Sequence, residues 1–249
     1  KTMVNTIRDI LNKFDPISLE EMDSVALMDR TDTKFVFRIE NLPAILNQLQ
    51  PSYRVLEVNQ SRLNRYESLY YDTPDFKMYL CHQNKRANRF KVRFRTYMES
   101  ATSFFEIKIK NNKGRTIKER VKSKETKPGI SAKSEQFLVN KTHLSALEIE
   151  PKLWVNYSRI TLVNKTLPER LTIDVGLYFQ NGEKQYHLDK LIIAELKQSK
   201  RNVSPFAQIM KESHIRKFSI SKYCIGVISL FENVKYNNFK RKIHTINKQ

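Results

Sequence analysis

The chain has 249 residues, 40% of them hydrophobic, and a formal net charge of +19. This is an ordinary globular composition with core to bury, and its charge calls for an anionic partner: nucleic acid, a membrane surface, or phosphorylated small molecules and polymers. The two cysteines, Cys81 and Cys224, have no metal-like or paired spacing and no apolar run approaches a membrane span, which excludes a disulfide framework and a transmembrane segment in this chain; a cytoplasmic protein is expected.

Ile7, Ile10, Leu11 and Phe14 recur at helical spacing, predicting a helix over residues 5–14 with Asn5 or Thr6 as cap and Asp15-Pro16 as its end. Ser18 with Glu21 three residues on starts another short helix. Residues 27–38 become a strand in their second half, which carries Lys34. Asn41-Leu42-Pro43 opens a helix to about Leu49. Residues 53–58 and 62–71 read as strands, Asp72-Thr73-Pro74-Asp75 as a turn, and Phe76, Met78, Tyr79 and Leu80 as a short helix.

Three strands follow, at residues 89–97, 104–110 and 115–121. Their period of two puts Lys91, Arg93 and Arg95 on one face and Phe90, Val92 and Phe94 on the other. Glu106, Lys108 and Lys110 repeat this against Phe105, Ile107 and Ile109, and Lys118 with Arg120 against Ile117 and Val121. Alternating charge ordinarily marks a solvated face, but such a face mixes both signs. Between Lys85 and Arg120 there are twelve Lys or Arg against three Glu, and like charges side by side on neighbouring strands cost stability without a compensating anion.

Residues 123–133, with Pro128-Gly129, form a loop and 134–147 are weakly helical, so 123–150 reads as an inserted segment. Strands resume at 153–163, where Val155, Tyr157 and Arg159 share a face, and at 169–179, carrying Asp174. Asn181-Gly182 sits at a hairpin tip, and 191–197 follows with Glu195 and Lys197 on one face. Ser204-Pro205 begins a helix to about 213, and 221–231 is a last apolar helix. From Lys235 onward there are five Lys or Arg and no acid, so 235–249 is expected to be a disordered basic tail. Without a linker or repeat, residues 1–234 form one domain, with 1–24 its N-terminal helical segment.

Charged residues thus recur at internal strand positions along the whole chain. An open sandwich would turn them to water, whereas a closed antiparallel barrel holds them inside under a cover of helices. The expected fold is therefore α+β, a closed antiparallel barrel with a basic lumen and helices packed outside. Arg forks and Lys point charges with a divalent metal are the parts of phosphoryl transfer. Mg²⁺ or Mn²⁺ takes one or two carboxylates, and Glu195, Asp174 and Glu106 are the acids available among these cations. Same-face ion pairing, Glu106 with Lys108 and Glu195 with Lys197, is the structural alternative, and Asp174 also reads as a supporting group. The five His lack zinc spacing, no G-x-x-x-x-G-K is present, and no Ser-His or Cys-His motif suggests covalent catalysis.

Nine motifs then stand in the order of a known family: Arg30-Thr31-Asp32-Thr33-Lys34, Tyr70-Tyr71-Asp72-Thr73, Arg93-Phe94-Arg95-Thr96-Tyr97, Glu106-Ile107-Lys108, Lys118-Glu119-Arg120, Tyr157-Ser158-Arg159, Ile173-Asp174, Glu195-Leu196-Lys197 and Ser221-Lys222-Tyr223-Cys224-Ile225-Gly226. On these the sequence resembles the polyphosphate polymerase (VTC) domain of the triphosphate tunnel metalloenzyme, CYTH-like, superfamily in its bacterial stand-alone form, from about Asp29 to Leu230. The resemblance implies an eight-stranded tunnel that moves the γ-phosphate of ATP onto a growing polyphosphate chain and leaves ADP. It implies catalytic roles for Arg93, Arg95, Lys108 and Arg159, and binding of triphosphate and product by these with Lys34, Lys118, Arg120, Lys197 and Lys222. Glu195 would hold the metal, with Asp174 and Glu106 as further acids. The hydrolase branch opens with Glu-x-Glu-x-Lys, but the corresponding strand here reads Thr31-Asp32-Thr33-Lys34, which favours the polymerase branch; where family polymerases carry a second lysine, this chain has Ser219.

The alternatives are a tripolyphosphatase or nucleoside triphosphatase with water as acceptor, and a non-catalytic module binding polyphosphate. Nucleic acid is disfavoured, because Phe and Ile lie opposite the basic face rather than interleaved with it for stacking.

Overall fold

A computed structural model describes residues 2–24, 30–125, 127–199 and 203–248. The first part of the chain folds as α1 (Met3–Leu11), β1 (Asp15–Ile17), α2 (Leu19–Ser24), β2 (Thr31–Arg38), α3 (Leu42–Leu49), β3 (Tyr53–Leu56), β4 (Asn64–Asp72) and α4 (Lys77–Gln83). The middle holds β5 (Arg89–Tyr97), β6 (Thr102–Lys110), β7 (Thr116–Ser123), α5 (Ala132–Thr142), β8 (Glu150–Asn164) and β9 (Glu169–Asn181). The remainder is β10 (Lys184–Leu188), β11 (Leu191–Gln198), α6 (Pro205–Glu212), α7 (Lys222–Leu230) and α8 (Lys240–Asn247).

Local chemistry sets most of these boundaries. Ser18 and Glu21 form a reciprocal capping box on α2, Ser18 N donating to Glu21 Oε2 at 2.9 Å and Glu21 N to Ser18 Oγ at 3.1 Å. Ser204 and Ser221 cap α6 and α7 through Ala207 N and Cys224 N. Helix α1 begins earlier than its apolar spacing suggests, because Thr2 serves as the cap. Residues 27–29, the start of the segment read as leading into β2, lie outside the described residues.

Among the described residues the strands join in one sheet of eleven, along the path β2-β11-β9-β8-β4-β5-β6-β7, with β10 added to β9 and β3 to β8; only β1 and β3 pair in parallel. This corrects the expectation of a closed eight-stranded barrel, since β2 and β7 end the path without pairing to each other. The reason lies at the two edges. The free edge of β2 is taken by the chain near α7, where Phe35 bridges Lys217 and Phe218 N donates to Lys34 O at 2.8 Å. The free edge of β7 is mostly exposed and alternates Lys118, Arg120 and Lys122, which protects it against further pairing. The sheet nevertheless curves until both ends line one cavity, with Lys34 of β2 and Thr116 of β7 on its wall.

Parity divides the sheet into two faces. The outer face buries Phe35, Phe37, Ile160, Leu162, Leu171, Ile173, Ile192 and Leu196 under α1, α3 and α6, and Val92, Phe94, Phe105 and Ile107 under α5. The inner face is apolar only where α7 crosses it. Tyr223, Cys224, Val227 and Leu230 pack there on Val36, Leu153, Val155, Leu177 and Ile193. Helix α7 is thus covered by the sheet's inner face, not packed outside like its neighbours, because apolar residues surround it on every side. A bulge makes this possible: between the pairs Asn156–Tyr178 and Ser158–Val175, β9 has one residue more than β8, and Gly176 takes the positive φ (64°). Asp174 and Leu177, of opposite parity in a regular strand, consequently share the inner face.

The segment after 235 is helical in its second half, where disorder was expected from its charge. Ile246 of α8 is buried, and Tyr79 Oη donates to Lys235 O at 2.7 Å. Among the described residues no helix is long and apolar enough to cross a membrane. Both cysteines are free, Cys224 buried and Cys81 half-buried.

Candidate functional site

Strand register assembles the site. Lys91 on β5 lies opposite Lys108 on β6, and Lys108 opposite Lys118 on β7, so three ammonium groups stand in one row across three strands. The adjacent row runs Arg93, Glu106, Arg120. Here Glu106, 1% exposed, is bonded by Arg93 at 2.6 Å and Lys118 at 2.9 Å. Burial would raise its pKa, but Arg93, Arg95 and Lys118 hold the carboxyl well below the usual range.

Two further clusters complete the inner face. Arg159 grips Asp174 through both nitrogens, at 2.7 and 2.9 Å, and Lys222 reaches down from α7 to the same carboxylate at 2.5 Å. These two cations outweigh desolvation and bring Asp174 to about 2. Glu195 pairs with Lys197 and lies 3.9 Å from Lys34, while Lys197 also bonds Asp32 at 3.0 Å. Despite its burial, Glu195 is likewise held well below the carboxylate range by Lys34 and Lys197.

The cations outnumber these acids. Among the described residues Arg95, 5% exposed, donates only to neutral hydroxyls, Ser68 Oγ at 3.0 Å and Tyr157 Oη at 2.9 Å. Lys91 and Lys108 have no ion pair among the described residues. Desolvation pushes both below the ordinary lysine range, and Lys34 and Lys118 down to about 8. A buried guanidinium without counter-ion beside a row of facing ammoniums is expensive unless an anion joins them.

All twelve residues named from the sequence fall on this inner face or its rim; Arg120 is at the rim, its guanidinium 4.2 Å from the Phe104 ring centroid. The three acids, however, sit in three separate ion-paired clusters, and among the described residues no three His, Cys, Asp or Glu side chains gather to hold a metal. Of the three, Glu195 is the one that lines a cavity, where it would hold a divalent ion as a carboxylate ligand with Asp32 on the same wall.

Lys91 was legible from parity yet has no motif to single it out. Tyr70, Tyr66 and Tyr157 also line the inner face, Tyr157 sharing it with Arg159 as parity placed it. Arg95 and Arg159 lie over the Tyr66 ring at 5.3 and 4.9 Å, so these tyrosines serve as a bed for arginines. Tyr70 Oη accepts from Arg93 at 2.9 Å; burial alone would raise its pKa, but Arg93, Arg95 and Lys91 bring it to about 7.

Two cavities flank the charged layer. One, of about 930 Å³, is lined by Lys34, Lys91, Lys108 and Glu195, and by residues of α4 and the C-terminal segment. The other, of about 590 Å³, is lined by Lys118, Arg120, Arg159 and Lys197 with Tyr66, Tyr97 and Phe104. They meet across the Glu195–Lys197 ion pair, each partner facing one cavity.

A curved antiparallel sheet with helices outside and a polyvalent basic inner face is the build of the CYTH-like, triphosphate-tunnel class of α+β proteins. The model of the VTC domain family matches residues 29–231, and the chain belongs to that family. Among solved structures, the proposed adenylyl cyclase HpAC1 from Hippeastrum, described as having a dominant triphosphatase activity, is 12% identical with TM-score 0.53, over 84% of this chain and 100% of that one. At that identity the likeness shows a common fold. A proposed adenylate cyclase from Vibrio parahaemolyticus matches at 14% identity and TM-score 0.47, over 80% of this chain and 99% of its own, and one from Bacillus halodurans at 14% and 0.49, over 78% and 96%. No curated protein matches the chain.

Proposed function

We propose that this chain is an ATP-dependent polyphosphate polymerase. The supporting observation is the row Lys91–Lys108–Lys118, in which Lys91 and Lys108 have no ion pair among the described residues, with Arg95 beside it, in a groove that opens into a cavity on each side. A triphosphate supplies the missing negative charge, one cavity admits the nucleotide, and the other lets the growing chain leave. Arg93, Arg95, Lys108 and Arg159 neutralise charge on the transferring phosphoryl group, and Lys34, Lys118, Arg120, Lys197 and Lys222 hold the phosphates on either side.

Glu195 would hold a divalent ion, Mg²⁺ or Mn²⁺, jointly with phosphate oxygens, and that ion supplies further charge neutralisation. Glu106 and Asp174 act instead as anchors that fix Arg93, Lys118, Arg159 and Lys222. With all three carboxyls held at low pKa by their cations, none of them is an efficient general base. A phosphate or polyphosphate end is already anionic at neutral pH and needs none, whereas water does; this favours the polymerase over a hydrolase. The triphosphatase is the second reading, since HpAC1, which shares the fold, is described with that activity.

Incubation of the chain with ATP and Mn²⁺, with and without a short polyphosphate primer, separates the two: ADP with a polymer ladder supports the polymerase, ADP with free phosphate alone refutes it. In the same assay Glu195→Gln should abolish turnover while retaining partial ATP binding. Unchanged turnover would remove Glu195 from its role.

A further inference from the structure

The family match ends at residue 231, yet the segment beyond it is built into the wall of the larger cavity. Three contacts dock it there. Asn238 Nδ2 donates to the carbonyl of Gln83, whose side chain is fully buried; Phe239 lies 6.2 Å from the Tyr79 ring; and Ile246 is 4% exposed. The docking sets Lys242 of α8 on the cavity wall with four cations from elsewhere: Lys85 after α4, Arg89 at the start of β5, Lys110 at the end of β6, and Lys217 beside β2.

None of these five has a carboxylate partner among the described residues. Among the described residues the only acids lining this cavity, Asp32 and Glu195, are already paired with Lys197. The five positive groups come from separate segments, so the wall is positive on several sides. Desolvation, together with Lys85 and Arg89, moves the Lys242 ammonium below its ordinary range, as expected of a cation brought close to others.

We propose that the segment 235–248 is a chain-gripping arm, which completes at the larger cavity a second polyphosphate subsite outside the catalytic groove and thereby sets how long a product chain is held. A tripolyphosphate is short enough to be satisfied by the Lys91–Lys108–Lys118 row. A longer chain that extends from this row into the larger cavity reaches the five cations, where each further phosphate meets an ammonium or guanidinium. The arm's effect on product length rests on the polymerase reading; its binding of long chains does not.

The test uses the full chain with Lys242→Glu and Lys242→Gln, and Lys13→Glu on the exposed turn after α1 as the control for net charge. Calorimetric titration at fixed ionic strength compares long-chain inorganic polyphosphate with tripolyphosphate. Lys242→Glu should weaken the long chain about tenfold, the order of one charge-assisted contact, with Lys242→Gln intermediate. Tripolyphosphate should weaken less than about twofold, and the Lys13→Glu control should leave both affinities as in the parent chain. On the gel the Lys242 variants should make shorter ladders. Equal losses for both ligands, no loss for the long chain, or equally tight binding of a single-stranded oligonucleotide of matched charge would overturn the proposal. If the parent chain makes no ladder while Lys242→Glu still loses long-chain affinity, the polymerase reading fails and the arm stands; a parent ladder with unchanged length and affinity in the variants is the reverse.

Discussion

Glu106→Gln is the perturbation whose size follows most directly from the geometry. The carboxylate is 1% exposed and lies between Arg93 at 2.6 Å and Lys118 at 2.9 Å. Glutamine preserves volume but removes the charge and turns one of the two acceptors, each of which faces one cation, into a donor aimed at that cation. Losing one member of a buried pair costs about 3–5 kcal/mol, and the lower end applies because Lys118 is 36% exposed and Arg93 keeps its bond to Tyr70. For a chain of this size about 3 kcal/mol is roughly 6–12 °C in Tm. The assay is thermal unfolding with and without tripolyphosphate. Because the anion replaces the missing charge, it should raise the melting temperature of the variant more than that of the parent chain. A variant that melts within about 2 °C of its parent, less than roughly 1 kcal/mol, or that gains no more from tripolyphosphate, would falsify the reading of Glu106 as the charge that stabilises the empty groove.

Three further outcomes follow. Lys34 and Lys118, both near 8, are half protonated at pH 8, and an anion between them raises both pKa values, so tripolyphosphate binding at that pH should take up about one proton. Calorimetry in buffers of different ionisation enthalpy measures this, and zero uptake would refute it. In the free protein these lysines lie below their unfolded value of about 10.4, so the unfolded chain binds more protons between about pH 8 and 10, and their contribution to stability rises with pH across that window. Gly226→Ala places a Cβ 2.7 Å from Phe179 Cδ1 and 3.0 Å from Leu153 Cδ1, where α7 meets the inner face. Overpacking there should cost about 1–3 kcal/mol, seen as a fall in Tm of several degrees; an unchanged Tm would mean that α7 sits less tightly than drawn.

What the sequence by itself determined was local and periodic. Period-two alternation placed Lys91, Arg93 and Arg95 on one face, and Ser18 with Glu21, Ser204-Pro205 and Asn181-Gly182 marked helix starts and a hairpin tip through contacts between near neighbours. The excess of Lys and Arg over acids on β5 to β7 already demanded an anion, and the nine motifs in order named the family. Four features waited for the tertiary structure, because each depends on residues far apart in the chain. Register alone made Lys91, Lys108 and Lys118 face one another across three strands. The bulge at Gly176 reversed parity on β9, which let Asp174 meet Arg159 and Lys222 while Leu177 packs on α7. Lys217 and Phe218 occupied the edge of β2, so the sheet curved without closing. The basic tail became α8 because Gln83, Tyr79 and the inner-face core receive it, and no periodicity in the tail's own charges records those partners.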